Sequence, residues 1–189
     1  MSDIPEEKIE IIREQMKEDN IKFIRLQFVD INGSVKNIVI PFKPDDDLNE
    51  LFNEGMLFDG SSIAGFVGVN DSDLVLKPDI NTYSRLSWRP EESATCRFIC
   101  DVWTADKKPF AGDPRGVLKK SLSHIAEMGL QYNIGPEPEF FIVDIDEKGY
   151  PMPYDDAGYF DVEPLDKGTD FRRELTLNLE DLDFEVEAS

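Results

Sequence analysis

The sequence predicts an α+β protein in two parts, residues 1–105 and 106–189, and three observations carry that expectation. A helical apolar stripe, a hairpin and further strand-like runs fill the first part. Strand and helix patterns alternate in the second. The hydrophobic content of 40%, with 13 Phe, 5 Tyr and 2 Trp, suits a packed core rather than a disordered acidic tail. At about 100 to 200 residues per domain, the length allows one domain or two small ones.

Pro5 followed by Glu6 and Glu7, with Ile9, Ile12 and Met16 at helical spacing, predicts a capped amphipathic helix to about Asn20. Alternation from Ile21 predicts a strand to Asp30, Asn32-Gly33 a hairpin turn, and residues 35–40 the return strand. Residues 45–55 read as a short helix closed by Gly55, and 74–76, 86–88 and 95–103 as three more strands. One helix on a small mixed sheet is the simplest solution for residues 1–105. Asp113 then caps a helix with Pro114 at its first position, and Leu118, Leu122, Ile125 and Met128 continue one apolar stripe to Gly129. Residues 132–145 read as a strand, 147–149 as a turn, 172–182 as a helix, and 184–188 as the start of a strand.

There are 40 acidic and 20 basic residues, a formal net charge of -20. Such a field repels phosphate backbones and anionic lipids, and no run of Lys and Arg exceeds two residues, which argues against nucleic acid and membrane surfaces as partners. The start lacks a basic region and an apolar stretch, so a secretory signal is not expected, and no apolar run is long enough for a spanning helix. Cys96 and Cys100 lie four apart in a predicted strand, about 13 Å between Cα atoms at ~3.3 Å rise per residue, beyond the ~7 Å a disulfide tolerates. They are expected to be reduced and buried, which fits a cytoplasmic protein.

The charge is uneven: residues 137–189 hold 17 acidic and 4 basic side chains. A solvated face and a cation-filled site both account for this. Gly135-Pro136-Glu137-Pro138-Glu139-Phe140-Phe141 supplies a geometry for the second. In a strand, residues two apart share a face, which sets the two carboxylates about 7 Å apart. At that distance they repel by about 2.4 kcal/mol at an effective dielectric near 20, and a divalent cation relieves it. Pro136 and Pro138 withhold backbone donors from one edge, which places Glu137 and Glu139 at a sheet margin where ligands are reached. Solubilising charges on an edge strand are the alternative.

A second constellation is Phe58-Asp59-Gly60-Ser61-Ser62 through Gly65 and Gly68 to Asp71-Ser72-Asp73. Its small residues let the backbone turn sharply beside a ligand, with Asp59 the charge in an apolar approach; an ordinary glycine-containing loop is the alternative. The phosphate-cradling Gly-x-x-x-x-Gly-Lys pattern is absent, and His124, the only histidine, sits in a predicted helix and completes no Ser-His-Asp arrangement.

Together these segments resemble glutamine synthetase of the bacterial class I type along essentially the whole chain. The resemblance is carried by Asp30-Ile31-Asn32-Gly33 with Lys36, Phe58-Asp59-Gly60-Ser61-Ser62 with Asp71-Ser72-Asp73, and Phe98-Ile99-Cys100-Asp101. It continues in Pro109-Phe110 with Gly112-Asp113-Pro114-Arg115, Gly135 to Phe141, Gly158-Tyr159-Phe160 and Glu185-Val186-Glu187-Ala188-Ser189. It implies a β-grasp-like amino-terminal domain, residues 1–105, followed by the truncated start of the catalytic α+β domain, residues 106–189.

The resemblance also implies ATP-dependent joining of ammonium to L-glutamate through a γ-glutamyl phosphate, with Glu137 and Glu139 as ligands of Mg²⁺ or Mn²⁺. Asp59 would bind ammonium in a neighbouring subunit's site, Tyr159 would line the glutamate end, and Glu187 would face the nucleotide. The implied assembly is a homo-oligomer, a dodecamer of two stacked hexameric rings. The family's His-rich metal strand and later ligands would follow Ser189, so residues 1–189 alone are expected to be inactive and the part beyond 106 weakly stable. Gly68 stands where many relatives carry a larger or basic residue, which leaves feedback inhibition open. A non-catalytic interaction module derived from this family, and a ligase for another amine, are the alternatives.

Overall fold

A computed structural model describes residues 4–187, and the chain divides into two compact units, residues 1–132 and 133–189. In the first unit, α1 (Glu6–Glu18) begins after Pro5, with Glu6 and Glu7 offsetting the positive helix end. Ile9 and Met16 are its buried positions, and the chain leaves through Asn20 at φ 53°. β1 (Phe23–Val29) and β2 (Val35–Pro41) form the expected antiparallel hairpin. Its turn is fixed by buried Asp30, whose carboxylate accepts from the amides of Asn32 and Ser34 at 2.9 Å each, and by Gly33 at φ 80°.

The Asp47 carboxylate caps α2 (Leu48–Asn53) by accepting from Asn49 N at 2.8 Å. Gly55 follows at φ 90°, and a Cβ there would lie 2.5 Å from the Leu76 carbonyl oxygen, so the position requires glycine. The next strands are β3 (Met56–Asp59), β4 (Asp73–Pro78), β5 (Ser84–Arg85) and β6 (Thr95–Thr104). The sheet order is β2-β1-β6-β4-β3, with β5 added to β6. β1 and β6 run parallel and the other pairs antiparallel, which makes the sheet mixed.

Alternation sends Ile24, Leu26, Phe28, Leu74, Leu76, Phe98, Cys100 and Val102 to one face, where α1 and α2 supply Ile9, Met16, Leu48 and Phe52. Phe52 meets Phe98 edge to face at 5.1 Å between ring centres. Cys96 and Cys100 are free and buried in this core, and burial pushes the Cys96 thiol up to about 12. Among the described residues no helix is long and apolar enough to cross a membrane.

α3 (Pro114–Glu127) starts where Asp113 and Pro114 predict. Asp113 is 2% exposed, and its carboxylate accepts from Arg115 N and from Val102 N on β6, both at 3.0 Å. One side chain thus caps a helix and satisfies a strand amide, although burial holds its carboxyl above the ordinary value. Arg115 adds contacts of 2.5 Å to Asp101 and 2.8 Å to Asp79. The apolar stripe of α3 is not a buried one: Leu118, Leu122 and Met128 are exposed.

Other expectations change as well. The strand over 86–88 moves back to β5, because the chain turns at Leu86, whose carbonyl accepts from Arg89 N at 3.0 Å, and Pro90 follows. Met56-Leu57-Phe58, the apolar approach to Asp59, form with it strand β3 against β4. The strand over 132–145 shrinks to β7 (Val143–Ile145), paired with β8 (Pro151–Pro153) around the turn at Gly149. Residues 133–142 find no strand partner among the described residues, and Pro136 and Pro138 remove donors that a ladder would need.

In the second unit, α4 (Thr169–Glu180) replaces the helix expected over 172–182, and 184–187 is irregular; Ala188, the end of the expected last strand, lies outside the described residues. Buried Asp166 accepts from Gly168 N at 2.9 Å and pairs with Arg172 just before α4. No hydrophobic side chain of the second unit is buried among the described residues. Little apolar transfer energy therefore offsets the entropy of ordering this segment.

Phe98→Ala is expected to destabilise the first unit by about 3 to 5 kcal/mol in urea unfolding. Asp113→Ala should lose about 1 to 3 kcal/mol because it removes a cap and orphans the Val102 amide, with Asn restoring part of it. Amide hydrogen exchange should find strong protection in β1, β4 and β6 and weak protection throughout 133–187; equal protection would contradict the account of the second unit.

Candidate functional site

Asp59 ends β3, opposite Asp73 in the ladder with β4. The chain then tightens into a 3-10 turn, Gly60–Ser62, with Asp59 as its cap. The Asp59 carboxylate accepts from Ser61 N at 2.9 Å, Ser61 Oγ at 2.6 Å and Ser62 Oγ at 3.0 Å. The Ser61 hydroxyl, then the Ser61 amide and the Ser62 hydroxyl, hold the carboxyl below the usual carboxylate range, so it is ionised at neutral pH. The side chain is exposed to solvent. The result is a fixed negative charge with a free coordination side, suited to a small cation.

Packing beneath the loop keeps it in place. Gly60 is buried, and a Cβ there would come within 2.5 Å of Leu74. Gly65 at φ 84° passes Ile31 so closely that a Cβ would lie 2.1 Å from its Cδ1. Phe66, 8% exposed, sits 6.1 Å from Phe28 and 5.3 Å from Phe110 between ring centres. Gly60 N donates to Ser72 O at 2.7 Å, which ties the 58–68 loop to the Asp71-Ser72-Asp73 segment. Gly68 has open space around it.

Sequence reasoning singled out Asp59 and missed what Ser61 and Ser62 do. The signal was present, since an Asp followed two and three residues later by hydroxyl side chains is the pattern of a capped turn. A groove of about 900 Å³, lined by Leu57, Val75, Trp103, Lys107 and Lys119 among others, opens on the same unit, and Asp59 does not line it.

Glu137, Glu139, Tyr159 and Glu187 all belong to the second unit, apart from Asp59 in the first. Glu137 and Glu139 are exposed and lie in the irregular segment 133–142, so the shared strand face expected for them is not formed. Tyr159 is 91% exposed and rests on Phe160 with 4.2 Å between ring centres. Glu187 is exposed in an irregular segment. Among the described residues there is no group of three or more His, Cys, Asp or Glu placed to hold a metal ion. Carboxylate oxygens fit a hard divalent cation in kind, but Glu137 and Glu139 supply only part of the six or more ligands such an ion takes.

Comparison with known proteins gives these residues a context. Residues 20–105 match the family described as the beta-Grasp domain of glutamine synthetase, and residues 111–189 match its catalytic domain. The chain is 52% identical over 186 residues to glutamine synthetase of Methanococcus maripaludis, covering 96% of this chain and 42% of that one. It is 44% identical over 183 residues to the Staphylococcus aureus (strain Mu50) enzyme, covering 95% and 40%. The chain therefore spans about two fifths of the length of the curated relatives it matches. The structure of Plasmodium falciparum glutamine synthetase superposes with a TM-score of 0.73 at 18% identity, covering 100% of this chain and 42% of that one, which supports the fold. With both consecutive domain matches in register along one chain, the protein belongs to the glutamine synthetase family.

Proposed function

We propose that these residues serve ATP-dependent ligation of ammonium to L-glutamate, giving L-glutamine by way of a γ-glutamyl phosphate. The observation that carries the reading is the ionised Asp59 carboxylate, held by Ser61 and Ser62 with one side open, within a chain of this family. An anion so fixed attracts ammonium and orients it without rearranging when the cation arrives. Its carboxylate also accepts a proton as ammonium becomes the nucleophilic amine.

Glu137 and Glu139 would hold Mg²⁺ or Mn²⁺, with further ligands from beyond the described residues. Such an ion offsets charge on a transferring phosphoryl group. Tyr159 offers an exposed ring and hydroxyl for the glutamate end, and Glu187 a carboxylate for the nucleotide. The domain boundary of this reading falls near residue 105, so α3 belongs by descent to the catalytic domain while Asp113 and Arg115 staple it to β6. A cytoplasmic homo-oligomer, whose sites draw Asp59 from a neighbouring copy, is the assembly that this reading implies. Residues 1–189 alone are expected to be inactive.

In a protein extended to the length of its relatives, Asp59→Asn should lower kcat/KM for ammonium by about a hundredfold. Glu137→Ala and Glu139→Ala should each weaken Mn²⁺ binding; three equal affinities would remove their assigned role. Carboxyl-detected NMR should find Asp59 titrating below an ordinary aspartate, and Ser61→Ala should move it upward. Because its folded pKa is lowered, the stabilisation from these bonds is present above the unfolded value and lost as pH falls through the folded one.

A further inference from the structure

Phe58 and Phe66 stand at the two ends of the loop that carries Asp59, and one ring touches both: Phe28 on β1, with its centre 5.2 Å from that of Phe58 and 6.1 Å from that of Phe66. A fourth ring, Phe110, reaches Phe66 at 5.3 Å. Phe110 belongs neither to the loop nor to a strand. It lies on the segment between β6 and α3, one residue before the match to the catalytic domain begins.

This segment pins Phe110 from several sides. Its amide donates to the Val102 carbonyl oxygen at 2.9 Å, and its own carbonyl oxygen accepts from Asp113 N at 3.1 Å. The Val102 amide donates in turn to the Asp113 carboxylate, so both backbone groups of one β6 residue are taken up here. Gly112 passes close to the ring, and a Cβ there would lie 2.6 Å from Phe110 Cε1. The ring is half-buried against the core, and Phe66 beside it is buried.

The three bonds that hold the Asp59 carboxylate all come from Ser61 and Ser62 of the same loop. They orient the charge within the loop; what places the loop on the body of the protein is packing. Gly60 and Gly65 supply two supports, through Ser72 and Ile31, and the far end depends on Phe66 seated between Phe28 and Phe110. Interdigitated rings leave little slack, so a shift of one is felt by the next.

We propose that Phe110 is a positioning residue for Asp59: through Phe66 it fixes the far end of the loop, so that the placement of the carboxylate depends on how residues 109–113 dock on β6. The inference rests on Asp59 binding ammonium, and it makes the entry to the catalytic-domain match a support of that end of the site.

Carboxyl-detected NMR of residues 1–189 with Phe110→Ala, Phe110→Leu and Gly112→Ala tests this. Phe110→Ala opens a gap beside Phe66 and Gly112→Ala pushes the ring aside. In both, the Asp59 carboxyl should titrate closer to an ordinary aspartate, because its bonds from Ser61 and Ser62 loosen with the loop. Phe110→Leu keeps most of the apolar contact and should restore most of the original titration. Phe52→Leu removes a ring from a different core pair and should leave Asp59 unmoved. In a protein extended to the length of its relatives, Phe110→Ala should lower kcat/KM for ammonium about tenfold, within the ~hundredfold that a misplacement of about 1 Å can cost, with KM for ATP unchanged. An Asp59 titration unchanged in both Phe110→Ala and Gly112→Ala overturns the proposal, as does an equal shift in Phe52→Leu, which would mean general loosening of the core. Ammonium kinetics untouched by Asp59→Asn would instead strike the functional reading, and the titrations would still decide whether Phe110 places Asp59.

Discussion

Parallel pairing of β1 with β6 sets Ile24 beside Cys96 and Leu26 beside Phe98, joining two segments distant along the chain at the centre of the first unit's sheet. No tight turn can make such a contact, so the intervening chain has to form β2, α2, β3, β4 and β5 and return before the pair closes. Its reward is the core, because the same register stacks Leu26, Phe98 and Phe52 under α1 and α2. The pairing also dictates what the opposite face contains. With a period of two, each inward apolar residue on β1 and β6 has outward neighbours, and the register that aligns Leu26 with Phe98 also aligns Arg25 with Arg97. Core and arginine row are two consequences of one ladder.

The Asp59 loop shows the complementary logic, in which local bonding prepares a charge and tertiary packing holds it at the surface. Ser61 and Ser62 satisfy the carboxylate from one side, while the buried Phe66 and the glycines at 60 and 65 press the loop against β4 and Ile31. Enlarging either glycine would lift the loop off its support, so the glycines serve close approach here. The Asp59 side chain itself stays exposed.

The second unit differs in kind from the first. It is strongly acidic, its apolar residues stand exposed, and the contacts that organise it are a short hairpin, one helix and the Asp166 cluster. The described chain covers about two fifths of its relatives' length. Glu137, Glu139 and Glu187 lie exposed in irregular segments of this unit, and among the described residues no group of three or more His, Cys, Asp or Glu is placed to hold a metal ion. In the first unit, by contrast, Asp113 and Arg115 bind α3 to β6 through one shared carboxylate and one forked cation.

Much of the local architecture could be read from the residues alone. The Asn32-Gly33 turn, the cap at Asp113 with Pro114, the stop at Gly55, and the motif around Asp59 are each set by hydrogen bonds or backbone freedom spanning a few positions. Short-range interactions of this sort leave their pattern in consecutive letters. Whether residues 133–142 become a strand was another matter, because extended conformation is completed only by a partner, and apolar alternation with two prolines does not supply one. The pairing of Arg25 with Arg97 was equally hidden: the two stand far apart along the chain and are brought side by side only by strand register. Sequence determined which segments turn, cap and alternate; tertiary structure decided which charges face one another, since that depends on pairings between segments distant along the chain.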